Sequence, residues 1–193
     1  MLGVGRPEGD DRGGRCGYQG APGAFSHEAC TALRPWDEAV AHQTFAGAIA
    51  AVKAGEVGCA LIPVENSTLG RIEPAATLVE ASGLTVVSEV WRPIRLALMA
   101  PHGATLRTVK TAESHPVALR QCPNSLAALG LTAVEAFDTA GAARAVAEAG
   151  DLSRAAVAPA GAAEVYDLSI LRNDLQDSAD NRTRFVLLSA EPG

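Results

Sequence analysis

The stretch from Thr44 to Val64, TFAGAIAAVKAGEVGCALIPV, decides the fold. In its first half Phe45, Ala48, Ile49 and Val52 fall at i, i+3, i+4 and i+7, the stripe of an amphipathic helix. Thr44 is its N-cap and Gly55 its end. In its second half Cys59 to Val64 is a continuous apolar run that reads as a buried strand. Three polar residues, Glu65, Asn66 and Ser67, follow directly.

The same alternation extends both ways. Upstream, Cys16-Gly17-Tyr18-Gln19 is a weak strand, followed by the glycine turn Gly20-Ala21-Pro22-Gly23 and a helix from about Phe25 to Leu33. Downstream comes a helix over Ala75 to Ala81, with Pro74 near its first position and Gly83 after its end. Leu84 to Val90 and Arg95 to Ala100 read as strands. Val109 to Ala112 leads into Ser114-His115-Pro116 and a helix with Leu119, Cys122, Leu126 and Leu129 on one face. Pro123 should kink or restart that helix. Leu131 to Phe137 is a strand, Thr139 caps a helix to Ala149, Ala155 to Ala158 is a short strand, and Val186 to Leu188 belongs to the last one. The pattern predicts an α/β fold with mainly parallel strands, whose ligands bind beyond the carboxyl ends of the strands.

Composition narrows the function. The chain has 193 residues, 48% of them hydrophobic, enough for one domain or two small lobes. A net charge of −6 with no basic block argues against nucleic acid or an anionic membrane as partner. No stretch approaches the apolar length of a membrane span. Cys16, Cys30, Cys59 and Cys122 form no C-x-x-C pair, so zinc is not expected and a reduced cytosolic thiol set is. Met1 to Arg15 is rich in glycine and charge and lacks the apolar run of a signal peptide, which predicts a flexible or non-native tail on a cytoplasmic protein. Ser189 to Gly193 reads as a frayed end or a cut linker.

Four polar clusters lie where strands end and helices begin. Gly20-Ala21-Pro22-Gly23-Ala24-Phe25-Ser26 offers a sharp turn and free N–H donors at a helix start. Glu65-Asn66-Ser67 stands at a strand's carboxyl end. Ser114-His115-Pro116 puts Ser114 near an N-cap, with Gln121 two turns along. Asn181-Arg182-Thr183-Arg184-Phe185 opens the last strand, where Thr183 and Phe185 share a face and Arg184 points the other way. Each has a plainer reading alone: a strand-to-helix turn, an Asx turn, a capping serine with a packing histidine, and a solvated strand start.

Together the clusters resemble the prephenate dehydratase family. That family carries a G-P-x-G-T-F-S loop, E-N-S after a strand, S-H-P…Q-C and a terminal T-R-F. This chain shows GAPGAFS, PVENS, SHPVALRQC and NRTRF in the same order over about Tyr18 to Leu188. The last two motifs, in register with E-N-S, are specific; the glycine loop adds little. Ala21 and Ala24 stand where proline and threonine are frequent. Phe137 stands where some members have a glutamate proposed to act in catalysis, so no acidic catalyst is carried over there.

The resemblance implies two α/β lobes in the style of periplasmic binding proteins (type II), with the active site in the cleft. Lobe one is expected over about 16–91 and 164–190 and lobe two over about 92–163, within a catalytic domain of 16–190 and without the phenylalanine-binding ACT domain. The implied reaction converts prephenate to phenylpyruvate, water and carbon dioxide, with no cofactor and no metal. Thr183 would donate to the departing hydroxyl, while Asn66, Ser114 and Gln121 orient the substrate. Gly23, Ala24, Phe25, Glu65, Ser67, His115 and Thr139 would border it. Arg184 would pair with a carboxylate and Phe185 pack beside the ring. Arogenate dehydratase, the non-aromatising prephenate decarboxylase (which NRTRF and ENS speak against) and a non-catalytic anion-binding module of the same fold are the alternatives, and a homodimer is left open.

Overall fold

The computed structural model describes residues 14–190; most of the expected tail, and residues 191–193, lie outside the described residues. The chain divides into two compact units. Among the described residues, unit 1 holds 14–19, 26–92 and 184–190; unit 2 holds 20–25 and 93–183.

Unit 1 runs through β1 (Arg15–Gln19), α1 (Phe25–Leu33), β2 (Glu38–His42), α2 (Phe45–Lys53), β3 (Cys59–Asn66), β4 (Gly70–Arg71), α3 (Ala75–Ala81) and β5 (Thr85–Pro93). Unit 2 follows with β6 (Ala97–Ala100), β7 (Thr111–Ser114), α4 (Pro116–Leu119), α5 (Pro123–Ala128), β8 (Thr132–Glu135), α6 (Thr139–Ala149), β9 (Arg154–Ala158), α7 (Gly161–Val165) and β10 (Ser169–Arg172). Then β11 (Arg182–Ser189) carries the chain back.

The helix of the opening stretch forms as its sequence requires. The Thr44 side chain accepts from Gly47 N–H at 3.0 Å, Ala48, Ile49 and Val52 are buried, and Gly55 takes φ +72°, a conformation that favours glycine. The strand after it has no solvent face along its apolar run. Ala60, Ile62 and Val64 join a core with Ala48, Ile49 and Val52 of α2 and Ala75 and Ala76 of α3. Cys59 and Leu61 join the opposite core, with Tyr18, Ala29, Cys30 and Phe185. A run apolar at every position is what a strand covered on both faces needs. The sheet order is β2-β1-β3-β11-β5, with β1 parallel to β2 and β3 and the short β4 antiparallel on β3.

Unit 2 repeats this logic in the order β10-β6-β9-β7-β8. Leu98, Ala155 and Val157 face a core with Leu119, Cys122 and Leu126. Ala97, Met99, Ala156 and Ala158 face the other core, with Ala142, Ala143 and Val146 of α6. The small residues bring the α6 backbone close to the sheet.

Several expectations are corrected. The sheets are mixed rather than mainly parallel: β7 is parallel to β8 and β9, but β6 is antiparallel to β9 and β10. The chain returns to unit 1 at Arg184 rather than near residue 164, because β10 pairs with β6. The glycine loop 20–25 groups with unit 2, not with lobe one. His115, not Ser114, caps α4, its Nδ1 accepting from Val117 N–H at 3.1 Å. Asp138, not Thr139, caps α6 by accepting from Gly141 N–H, and Thr139 is the first helical residue. The helix after Pro116 ends at Leu119 and restarts with Pro123 in its first turn, as that proline foretold. Among the described residues no helix is long and apolar enough to cross a membrane.

Because Asp138 supplies one of the N–H acceptors that the first turn of α6 lacks, Asp138→Ala is expected to lower stability by about 1 kcal/mol in urea unfolding. An unchanged midpoint would show the cap to be idle.

Candidate active site

In unit 1 the candidate residues gather at the end of β3 and along β11. Asn66 is 4% exposed, and its Oδ1 accepts from Thr68 N–H at 2.9 Å and Leu69 N–H at 3.0 Å. Here the Asx turn is realised, and it fixes the side-chain amide against its own backbone. Ser67 is exposed. Glu65 reaches Arg184, whose Nε and terminal nitrogen lie 3.1 and 2.9 Å from Glu65 Oε2. A second nitrogen of Arg184 reaches Glu89 Oε2 at 2.9 Å. The Glu89 and Glu65 carboxylates hold the Arg184 guanidinium above its ordinary pKa, against partial desolvation. Arg184 does face away from Thr183 and Phe185, as the strand period requires, but it is engaged by two protein carboxylates. Phe185, 2% exposed, is packed with Cys16, Tyr18 and Leu61.

In unit 2 the glycine loop is built on close approach. Gly23 has φ +86°, and a Cβ there would stand 2.9 Å from Ala162 Cα, so only glycine fits. Ala24 N–H closes the turn onto Ala21 O at 3.1 Å, and the Tyr166 hydroxyl donates to Pro22 O at 2.7 Å. Phe25 packs against the unit 2 core that holds Leu98 and Leu119.

Ser114, the last residue of β7, is fully buried, and its hydroxyl donates to Val157 O on β9 at 2.6 Å. His115 uses Nδ1 as an acceptor in the cap, which leaves its ring proton on Nε2. Gln121 lies between α4 and α5, not on one helix face with Ser114; its side-chain carbonyl accepts from Asn181 Nδ2. Thr183 is 6% exposed and Asn181 2%, on the same alternating face of the chain. Thr139 is half-buried at the start of α6, two residues after the exposed Phe137.

Unit 2 thus brings together Gln121 and Asn181, and unit 1 brings together Glu65, Glu89 and Arg184. Sequence reasoning gave no role to Asn181, Asp177 or Glu89. For Asn181 a signal existed, since it stands two residues before Thr183 in the NRTRF motif. Asp177 and Glu89 have partners 52 and 95 residues away, which no local pattern marks. Among the described residues no group of three His, Cys, Asp or Glu side chains is arranged to hold a metal ion. The four thiols are free and buried, and burial pushes Cys122 up to about 12.

The Ser114 contact can be weighed directly. Ser114→Ala removes a donor from a carbonyl inside the unit 2 core and is expected to cost about 1–3 kcal/mol of stability in denaturant titrations. A cost under about 0.5 kcal/mol would show that the hydroxyl does not hold β7 to β9.

The prephenate dehydratase family model matches residues 16–193. A bifunctional N-acyl-homoserine lactone acylase/prephenate dehydratase of Komagataeibacter europaeus is 41% identical over 91% of this chain and 62% of that protein. An arogenate dehydratase/prephenate dehydratase, named chloroplastic, of Arabidopsis thaliana is 41% identical over 92% of this chain and 47% of its own length. The chain therefore spans about half to three-fifths of the length of these curated relatives. A crystal structure of prephenate dehydratase from Arthrobacter aurescens in complex with L-Phe matches with a TM-score of 0.84 at 28% identity, over 93% of this chain and 61% of that one. With the four motifs lying in order inside residues 16–193, the chain belongs to the prephenate dehydratase family.

Proposed function

We propose that this chain catalyses the decarboxylating dehydration of prephenate to phenylpyruvate, water and carbon dioxide. The family match over residues 16–193, which takes in all four motifs, carries the reading. In the reaction the ring carbon–oxygen bond and the bond to one carboxylate break. The electron pair left by carbon dioxide enters the ring, and the departing hydroxyl leaves as water with one added proton. Aromatisation drives both cleavages, so the protein's task is to hold the substrate and help the hydroxyl leave.

Thr183 suits the second task. Its buried position keeps bulk water from competing for its hydroxyl, and a donor held in place before the reaction is worth most when charge develops on the leaving oxygen. A threonine hydroxyl is a weak acid, so it relays a proton or stabilises charge rather than acting as a strong donor. Asn66, Ser114 and Gln121 are assigned to orientation. With Arg184 shared between Glu65 and Glu89, neutral hydrogen-bond donors carry much of the recognition of the carboxylates. Four buried, free thiols suit a reducing compartment, and we place the chain in the cytoplasm.

Arogenate dehydration is the second reading, favoured by the 41% identity to an Arabidopsis thaliana protein named for both arogenate and prephenate dehydration. Ultraviolet detection of phenylpyruvate from prephenate, beside phenylalanine release from arogenate, decides between them; no turnover of either would remove the assignment. For Thr183, the Thr183→Val variant keeps the side-chain shape and deletes the hydroxyl. It is expected to lower kcat by about 10²–10³-fold with substrate affinity much less affected, while Thr183→Ser retains a sizeable share of activity. A folded Val variant turning over at the wild-type rate would take Thr183 out of the mechanism.

A further inference from the structure

Residues 177 to 181 fix the segment 121–125 of unit 2 at several points. Asp177 N–H donates to Gln121 O at 2.8 Å. The Asp177 carboxylate accepts from Asn124 N–H, Ser125 N–H and the Ser125 hydroxyl, each at 3.0 Å, and so supplies acceptors to the first turn of α5. Asn181 Nδ2 donates to the Gln121 side-chain carbonyl. Asn181 is 2% exposed, and its own carbonyl accepts from Ile94 N–H at 2.8 Å. Backbone and side chain of Gln121 are therefore both held by one short stretch that leads into Thr183.

This arrangement determines what Gln121 has to offer. Its carbonyl is turned to Asn181, so its NH2 group is turned away and presents donors. A carboxamide left to rotate would present donor and acceptor in turn, and half of those states would repel an anionic oxygen. We infer that Asn181 is a positioning residue that holds Gln121 as a hydrogen-bond donor to a carboxylate oxygen of the ligand. The inference deepens the proposed function and rests on it for the identity of the ligand.

Asn181→Asp is close in shape and offers only acceptors when ionised. Gln121 must then turn its NH2 inward and show its carbonyl to the ligand. KM for prephenate is expected to rise about tenfold or more, with kcat changed much less, and Asn181→Ala should give a smaller rise. In a Gln121→Ala background neither substitution should add more than about twofold, because the effect runs through Gln121. An Asp variant with wild-type KM would mean that the amide pair faces the other way. An effect undiminished without Gln121 would make Asn181 merely structural, and either result overturns the inference. Should the Asp variant fail to fold, the Ala variant in the two backgrounds carries the kinetic test. The amide orientation is also read without turnover, by nuclear magnetic resonance of the wild-type chain. One Asn181 side-chain amide proton should exchange slowly with solvent and both Gln121 amide protons quickly; the reverse pattern overturns the inference. A wild-type chain that shows the expected exchange but no prephenate turnover would refute the proposed function and leave the orientation intact.

Discussion

Because Ala60, Ile62 and Val64 look to one side of β3 while Cys59 and Leu61 look to the other, unit 1 needs covering elements on both faces of its sheet. The requirement is energetic. Each large apolar side chain here contributes about 1.5–3 kcal/mol when taken fully out of water, so neither face is stable bare. Helices α2 and α3 cover one face and α1 the other, and the strand's end is thereby held at a fixed depth. The polar residues that follow it inherit that position: Asn66 turns the chain at once by bonding Thr68 and Leu69, and Glu65 meets Arg184. The double covering of β6 and β9 does the same for unit 2, where Ser114 at the end of β7 is locked onto β9 through Val157.

The electrostatics of the chain sharpen this. A net charge of −6 sits awkwardly with the proposed dicarboxylate substrate, and seven of the twelve arginines among the described residues are already in ion pairs within the protein. Arg184 is shared by Glu65 and Glu89, Arg154 lies 2.6 Å from Glu113, and Arg95 lies 2.5 Å from Asp174. Such pairs hold geometry more than they add stability, particularly where they are exposed. In the proposed reaction, recognition by oriented amides and hydroxyls would avoid adding another cation to this network, and it would make the direction in which each amide faces matter.

Much of this was legible in the sequence. Helices α1, α2 and α3 stand where periodicity, Thr44 and the glycines placed them, because strong local signals agreed with the cores they build. The four motifs were legible as a set. Elements with weak signals were not. β2 is half-exposed beside β1, β4 has two residues, and α7 and β10 are short, so none carries a long apolar period. Choosing between Ser114 and His115, or Asp138 and Thr139, as a cap depends on one residue of register, which side-chain type alone does not fix. The contacts of Arg184 and Phe185 were not legible because their partners are distant in sequence: Glu65 and Glu89 for the first, Tyr18 and Leu61 for the second.

The place of β11 in the sheet has a consequence for how the chain is made. In the order β2-β1-β3-β11-β5 the last strand to be synthesised lies between two that emerge long before it. Until residues 182–189 leave the ribosome, β3 and β5 have no shared neighbour, and the core around Tyr18 and Leu61 lacks Phe185. Unit 1 is thus completed only after all of unit 2 has been made, through contacts spanning more than a hundred residues, such as Glu65 to Arg184. Contacts of that span make folding slow and leave an open strand edge waiting. The nascent chain carries its own need for protection against mispairing during that interval.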